Sequence, residues 1–196
     1  MDEKVYGSLS ENRKACERLF GISKSFDLIS RDMTIGARDC CFYFVDGLIK
    51  DEVMQKLMDA LYKITKKDMP DSAEVLMKDF LPYVEVETIT EFSKVGRNLF
   101  SGVLCLFVDG YDKCLAVDLR TYPARGVEEP SKDKSLRGSR DGFVETVVFN
   151  SALIRRRIRD ADLRVEMLNV GRASKTDVVL CYMDGRVDKN LLKEVM

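Results

Sequence analysis

The chain has 196 residues and a net charge of −1; 45% of its residues are hydrophobic and 33% charged. That length suits one medium domain or two small ones in contact, with enough chain to bury a core. The near-zero charge removes any long-range field for nucleic acid or membrane, and the lack of histidine excludes Ser-His-Asp and Cys-His catalysis.

Residues 1–24 read as a polar, acidic start followed by one short helix with Leu9, Cys16, Leu19 and Phe20 as its apolar positions, stopped by Gly21. The start does not read as a signal peptide. Residues 26–35 and 40–45 are expected strands around a Gly36-Ala37 turn, the second apolar enough to be buried on both faces. Asp46-Gly47 ends it. A helix then begins near Asp51-Glu52, with Val53, Met54, Leu57, Met58, Leu61 and Ile64 at helical spacing. Asp71 to Glu74 resembles a capped helix start, and Pro82 ends that helix. A short strand is expected over 83–86 and a helix from Thr88 or Thr90 to about Ser101. Residues 103–108 and 114–119 form a hairpin about Asp109-Gly110.

Residues 121–139 are charged and broken by two prolines and two glycines, as an ordered functional loop or a linker would be. A central helix is expected over 141–159, with Val144, Val147, Val148, Ser151, Ile154 and Ile158 on one face. Strands at 163–170 and 177–183 follow, then Asp184-Gly185 and a last helix from Asp188. The longest uncharged run, 98–108, is far short of a membrane span, so this region reads as soluble. The helical pattern at the end suggests a fragment of a longer protein.

Residues 39–47 line up with 177–185, each a strand closing on Asp-Gly and followed by an amphipathic helix; 106–110 repeats the strand and turn alone. The expected fold is therefore α/β with mixed sheets, in two related subdomains, each of strands covered by helices and divided near Val86 into 1–86 and 87–196. The three strand-end aspartates, Asp46, Asp109 and Asp184, are turn residues on one reading and carboxylates of a ligand crevice on another.

Charge is unevenly placed. Residues 1–119 carry a net of −5; residues 120–175 carry +5, with ten arginines. Either the halves neutralise each other across an internal interface or the basic half meets an anionic partner. Arg155, Arg156, Arg157 and Arg159 close the central helix, where cations favour the dipole by about 0.3–1 kcal/mol each. They read as a solvated helix end or as partners of Glu128, Glu129 or Glu145 in this chain or a neighbour. No aromatic residues interleave with them, which disfavours nucleic acid. The six cysteines form no CxxC, and four lie in apolar strand-like runs as buried free thiols do; no metal or cofactor is expected. Ser174-Lys175-Thr176 lacks the glycine of a phosphate loop and reads as a hairpin turn. No spacing of carboxylates singles out an acid and a base, so a non-enzyme is the expectation.

The chain from about residue 22 to its end resembles the spore germination receptor A-subunit (GerA) family, with the hallmark stretch running from Thr121. The matching positions are Arg125-Gly126, Glu129-Pro130, Arg137-Gly138, Gly142-Phe143-Val144-Glu145, Asn150, the run from Ile154 to Ile158, and Gly171-Arg172 with Ser174-Lys175-Thr176. The resemblance implies a spore inner-membrane protein whose N-terminal domain, this region, faces the spore core, with membrane helices beyond Met196. It further implies A-type subunits that assemble with copies of themselves and with other germination receptor or spore membrane proteins, and that release ions in response to nutrients. Arg125, Glu129, Arg137, Arg140, Glu145, Asn150, Arg155, Arg156, Arg157 and Lys175 are then candidates for subunit contacts. The alternative is a module binding a nutrient or ion at the Asp-Gly crevice.

Overall fold

In the computed structural model, residues 2–81, 85–122 and 142–196 are described. The elements run α1 (Leu9–Phe20), a 3-10 turn (Ile22–Lys24), β1 (Leu28–Ile35), β2 (Arg38–Val45), α2 (Asp51–Tyr62), α3 (Ala73–Phe80), β3 (Val86–Ile89), α4 (Phe92–Phe100), β4 (Leu104–Val108), β5 (Cys114–Val117), α5 (Val147–Arg157), β6 (Leu163–Val170), β7 (Thr176–Met183) and α6 (Lys189–Val195). Helix boundaries follow local chemistry. Gly21, at φ +62°, lets α1 end with its N–H on the Glu17 carbonyl at 2.9 Å, a left-handed cap that glycine adopts without a Cβ penalty. Ser72 caps α3 by accepting from the Val75 N–H, as its position before an apolar run leads one to expect.

The α/β fold class is as read from the sequence, and every strand pairing among the described residues is antiparallel. Five strands make one sheet in the order β1-β2-β4-β5-β3; β6 and β7 make a separate hairpin. Alternate side chains of the sheet feed two cores. Cys41, Tyr43, Val45, Cys105 and Phe107 face α1 and α4, where Phe20, Phe92 and Phe100 gather. Cys40, Phe42, Leu104, Leu106, Val108 and Leu115 face α2 and α3, where Leu57, Leu61 and Leu76 pack. Each such leucine contributes about 1.5–3 kcal/mol by leaving water. The α1 and α4 helices approach closely at Gly96, where a Cβ would lie 2.7 Å from the Phe20 ring.

Three expectations change. The division at residue 86 falls inside the five-stranded sheet, since β3, β4 and β5 join β1 and β2. Residues 86–89 are a strand rather than the approach to a helix: they pair with β5 along its outer edge, and the β-branched Val86, Thr88 and Ile89 suit that conformation. The central helix starts at Val147, not Asp141, and buries Ser151, Ala152, Leu153 and Arg155 rather than the Ile154–Ile158 side. Its approach, from Gly142 to Thr146, is held open by Asn150. That amide accepts from the Val144 N–H and donates to the Val144 carbonyl, both at 2.7 Å.

The same device begins α1, where Asn12 accepts from the Tyr6 N–H and donates to the Tyr6 carbonyl. Asn12 and Asn150 are 138 residues apart. So are Leu9 and Val147 at the helix starts, Arg38 and Thr176 at the starts of β2 and β7, and Asp51 and Lys189 at the starts of α2 and α6. Both hairpins are shut by the same bond at 2.8 Å, from the Asp46 N–H to the Asp27 carbonyl and from the Asp184 N–H to the Asp162 carbonyl. The duplicated unit is thus a helix, a hairpin and a second helix.

Candidate functional site

The two units meet along a seam whose centre is Arg155. This side chain and that of Asp27 are both fully buried. Arg155 donates from Nε to Asp27 Oδ2 at 2.8 Å and from Nη2 to Oδ1 at 3.1 Å. Its remaining N–H groups reach the Asp160 carbonyl at 3.2 Å and the Leu163 carbonyl at 3.1 Å. The guanidinium also lies over the Phe100 ring, 5.4 Å from its centroid. The planar fork of arginine is what allows one side chain to hold a carboxylate bidentately and two carbonyls at once. The grip ties the end of α5 and the start of β6 to the residue just before β1.

Backbone contacts extend the seam. The Phe26 N–H donates to the Val165 carbonyl at 2.9 Å, and the Val165 N–H to Ser25 Oγ at 3.2 Å. The Arg164 guanidinium packs against Gly21, leaving 3.0 Å where a Cβ would stand. Its Nη1 donates to the Ala161 carbonyl, and its Nε lies 3.3 Å from Asp184. Gly47 abuts Val148 and Ala152 of α5, so the Asp46-Gly47 turn seats the second helix. Among the described residues, the net negative and net positive portions of the chain therefore meet internally at the buried Arg155–Asp27 pair.

Several sequence-derived candidates fall on this seam, but with other partners. Arg155 was expected at a solvated helix end or beside Glu128, Glu129 or Glu145; it is buried against Asp27, because the helix turns that face inward. Asn150 is occupied by its bonds to Val144. Arg156 lies over the Tyr122 ring at 4.3 Å, while Tyr122 donates its hydroxyl to the Ser101 carbonyl. Arg157 and Glu145 are exposed. Lys175 sits in the β6–β7 turn at φ +45°, its N–H on the Gly171 carbonyl. Arg125, Glu129, Arg137 and Arg140 lie outside the described residues.

The three aspartates do not converge. Asp46 and Asp109 follow β2 and β4, which run antiparallel, so they stand at opposite ends of the sheet. Asp109 accepts from the Leu9 N–H at 2.9 Å at the start of α1, and Asp184 faces Arg164. Sequence reasoning missed Asp27 and Arg164, and read Gly21 and Gly47 only as a helix stop and a turn, not as seats for Arg164 and α5. Nothing local marks Asp27 as the partner of a residue 128 positions away.

Outside the seam, a cleft of about 330 Å³ opens between α1 and the β1–β2 hairpin, lined by Arg13, Lys14, Glu17, Ser30, Asp32 and Cys41, among others. Arg13 and Asp32 pair across it at 2.8 Å. Burial pushes the Cys41 thiol up to about 11 and the Cys40 thiol to about 12, and raises Cys16 and Cys114 as well. At neutral pH these thiols are protonated and poor nucleophiles. Among the described residues no group of three or more His, Cys, Asp or Glu is placed to hold a metal ion, and no helix is long and apolar enough to cross a membrane.

Residues 16–196 match the model of the Bacillus/Clostridium GerA spore germination protein family. The chain is 35% identical over 193 residues to stage V sporulation protein AF of Bacillus subtilis, covering 98% of this chain and 39% of that protein. It is 32% identical over 167 residues to the membrane protein YfkQ of the same organism, covering 85% of this chain and 33% of that one. The fold matches the crystal structure of the N-terminal domain of the A subunit of the Bacillus megaterium spore germinant receptor GerK3. The TM-score there is 0.77 at 25% identity, covering all of this chain and 72% of that domain. The chain spans about a third to two fifths of the length of these curated relatives.

Proposed function

This chain belongs to the Bacillus/Clostridium GerA family of spore germination proteins, and we propose that it is the N-terminal, non-enzymatic assembly and signalling domain of a spore inner-membrane member. In this reading it lies on the spore-core side and makes contacts with copies of itself or with other germination subunits, coupling them to an ion-conducting membrane part. The observation that carries the proposal is the outer surface of α5 and its approach. Phe143, Phe149 and Ile158 are 65%, 45% and 40% exposed there, beside Arg156, Arg157 and Arg159. Aromatic residues and arginine together are the composition of interface cores. The inner side of the same helix is fixed by Arg155, so a force on the outer surface is transmitted to the seam.

The test uses the full-length protein in spores. Arg156→Glu and Phe149→Ala should leave the protein at normal abundance while reducing recovery of a tagged second copy or partner subunit and slowing germination. Unchanged assembly and germination in both variants refute the proposal.

A second reading, a small-ligand module, draws support from the cleft beside α1, whose paired Arg13 and Asp32 suit a zwitterion. Calorimetry with amino acids, sugars and divalent cations decides it: heat abolished by Arg13→Ala supports a ligand site, and no heat with any of them removes it.

A further inference from the structure

The five-stranded sheet of the first unit ends in β1 on one side and β3 on the other, and each has a partner strand along one edge only among the described residues. Residues 3–5 bond to Thr90 and Phe92 just past β3 but leave Val86–Ile89 without a second partner. The two ends differ in charge on the face that carries α1 and α4. Ile89 and Leu28 enter the core there, and strand alternation puts Glu85 and Glu87 on the face of Ile89, and Ser30 and Asp32 on that of Leu28. Both glutamates are exposed. Glu87 accepts from the Asn98 side chain at 3.1 Å, and the Glu85 carboxylate has no partner among the described residues. At the β1 end lies the cleft of about 330 Å³, lined by Lys14, Ser30 and Tyr43 among others. Its own carboxylates are engaged, Asp32 by Arg13 at 2.8 Å and Glu17 by the Ser23 hydroxyl at 2.6 Å. Lys14 is exposed and has no partner among the described residues.

An open strand edge is a template for pairing with another chain. Two copies of β1 suit each other badly, since antiparallel registers centred on the middle of the strand set Arg31 against Arg31 or Asp32 against Asp32. Two copies of β3 centred on Glu87 set that carboxylate against itself. Like charges directly opposite destabilise a pairing. β1 against β3 has neither conflict. Four antiparallel steps separate these strands in the sheet, so they run in the same direction. A rotated copy can therefore lay its β3 along β1 in parallel pairing, with α1 and α4 kept on one side. Such a contact uses different surfaces on the two copies, and repeated rotation closes it into a ring. We propose that the open edge of β1 and its cleft are the docking surface for β3 of a second copy of this chain, with Glu85 of that copy meeting Lys14. The sheet then runs from subunit to subunit. This rests on the assembly reading given above and adds a surface separate from the outer side of α5. Main-chain pairing holds the strand, and the Glu85–Lys14 contact selects β3 over another edge.

Cross-linking in the full-length protein in membranes tests this, with Ser30→Cys and Glu87→Cys combined on a Cys181→Ser background. A bismaleimide spanning about 8 Å matches the diagonal reach between adjacent strands. The expected result is a ladder of dimers, trimers and larger species in the double variant, absent from either single variant. Adding Lys14→Glu should cut the cross-linked yield by at least about fivefold, the scale of an opposite-charge pair turned into a like one, and Glu85→Lys on top of it should restore the ladder. Recovery of a tagged second copy is measured in parallel. No ladder while tagged copies still co-purify overturns this inference and leaves the assembly reading standing. Loss of co-purification in the unsubstituted protein removes both. A ladder that stops at dimers, a cross-link to a different protein, or a yield indifferent to Lys14→Glu also overturns the inference.

Discussion

Replacing Arg155 with methionine is the sharpest perturbation available. The substitution keeps a long apolar stem in the space the arginine occupies but removes every donor. Asp27 is left as a buried carboxylate without a cation, and the Asp160 and Leu163 carbonyls lose their bonds. Breaking a buried pair from one side costs about 3–5 kcal/mol, because the remaining charge stays desolvated. A domain of this size is stable by about 5–15 kcal/mol in all, so the loss is a large fraction. Urea unfolding followed by circular dichroism measures it. Hydrogen exchange at the Phe26 and Val165 amides, which join the hairpins, should accelerate before that of β4. The double variant Asp27→Leu with Arg155→Met removes the stranded charge and should recover at least about 2 kcal/mol of the loss. If Arg155→Met costs less than about 1 kcal/mol, or if the double variant is no more stable than the single one, the pair does not hold the seam.

Four further outcomes follow from the geometry. Asn150→Ala should cost about 1–2 kcal/mol in urea unfolding, since it frees both backbone groups of Val144 at the mouth of α5; a change under about 0.5 kcal/mol counts against the clamp. Gly21→Ala places a Cβ at positive φ against the Arg164 guanidinium and should lower stability by about 1–3 kcal/mol, with a matching drop in melting temperature. The folded-state values of Cys40 and Cys41 lie above the usual thiol value near 9, at about 12 and about 11. The stability they contribute is therefore complete below about pH 9 and is lost as pH rises toward 11, by about 1.4 kcal/mol per pH unit for each thiol ionised only in the unfolded chain; urea midpoints that stay flat from pH 8.5 to 10.5 refute this. A thiol reagent added to the native protein should modify Cys181, which is exposed, before the five buried thiols, which should react only on unfolding; simultaneous loss of all six contradicts the packing.

How far the sequence carried the reading depended on the range of the interaction. Period-two and period-3.6 patterns placed α2, α3, β2, β4, β5, β6 and β7, because a residue's neighbours one turn or two positions away decide those choices. Glycine and Asp-Gly turns marked the hairpins for the same local reason, and the duplicated strand-turn-helix showed in the residues alone. Membership of the GerA family was legible in the spacing of Arg-Gly, Glu-Pro and the Ile154-to-Ile158 run. What the chain did not reveal by itself was where charge is buried. Arg155 looks like its three neighbours in sequence, yet it alone points inward, since its environment is made by Asp27 and Phe100, far away along the chain. The strand at Val86–Ile89 has β-branched residues but is only four long, and its place in the sheet comes from pairing with β5. Nor does any local pattern tell that Leu57 is covered and Val195 is not: burial is a property of what packs against a surface, and only the assembled fold fixes that.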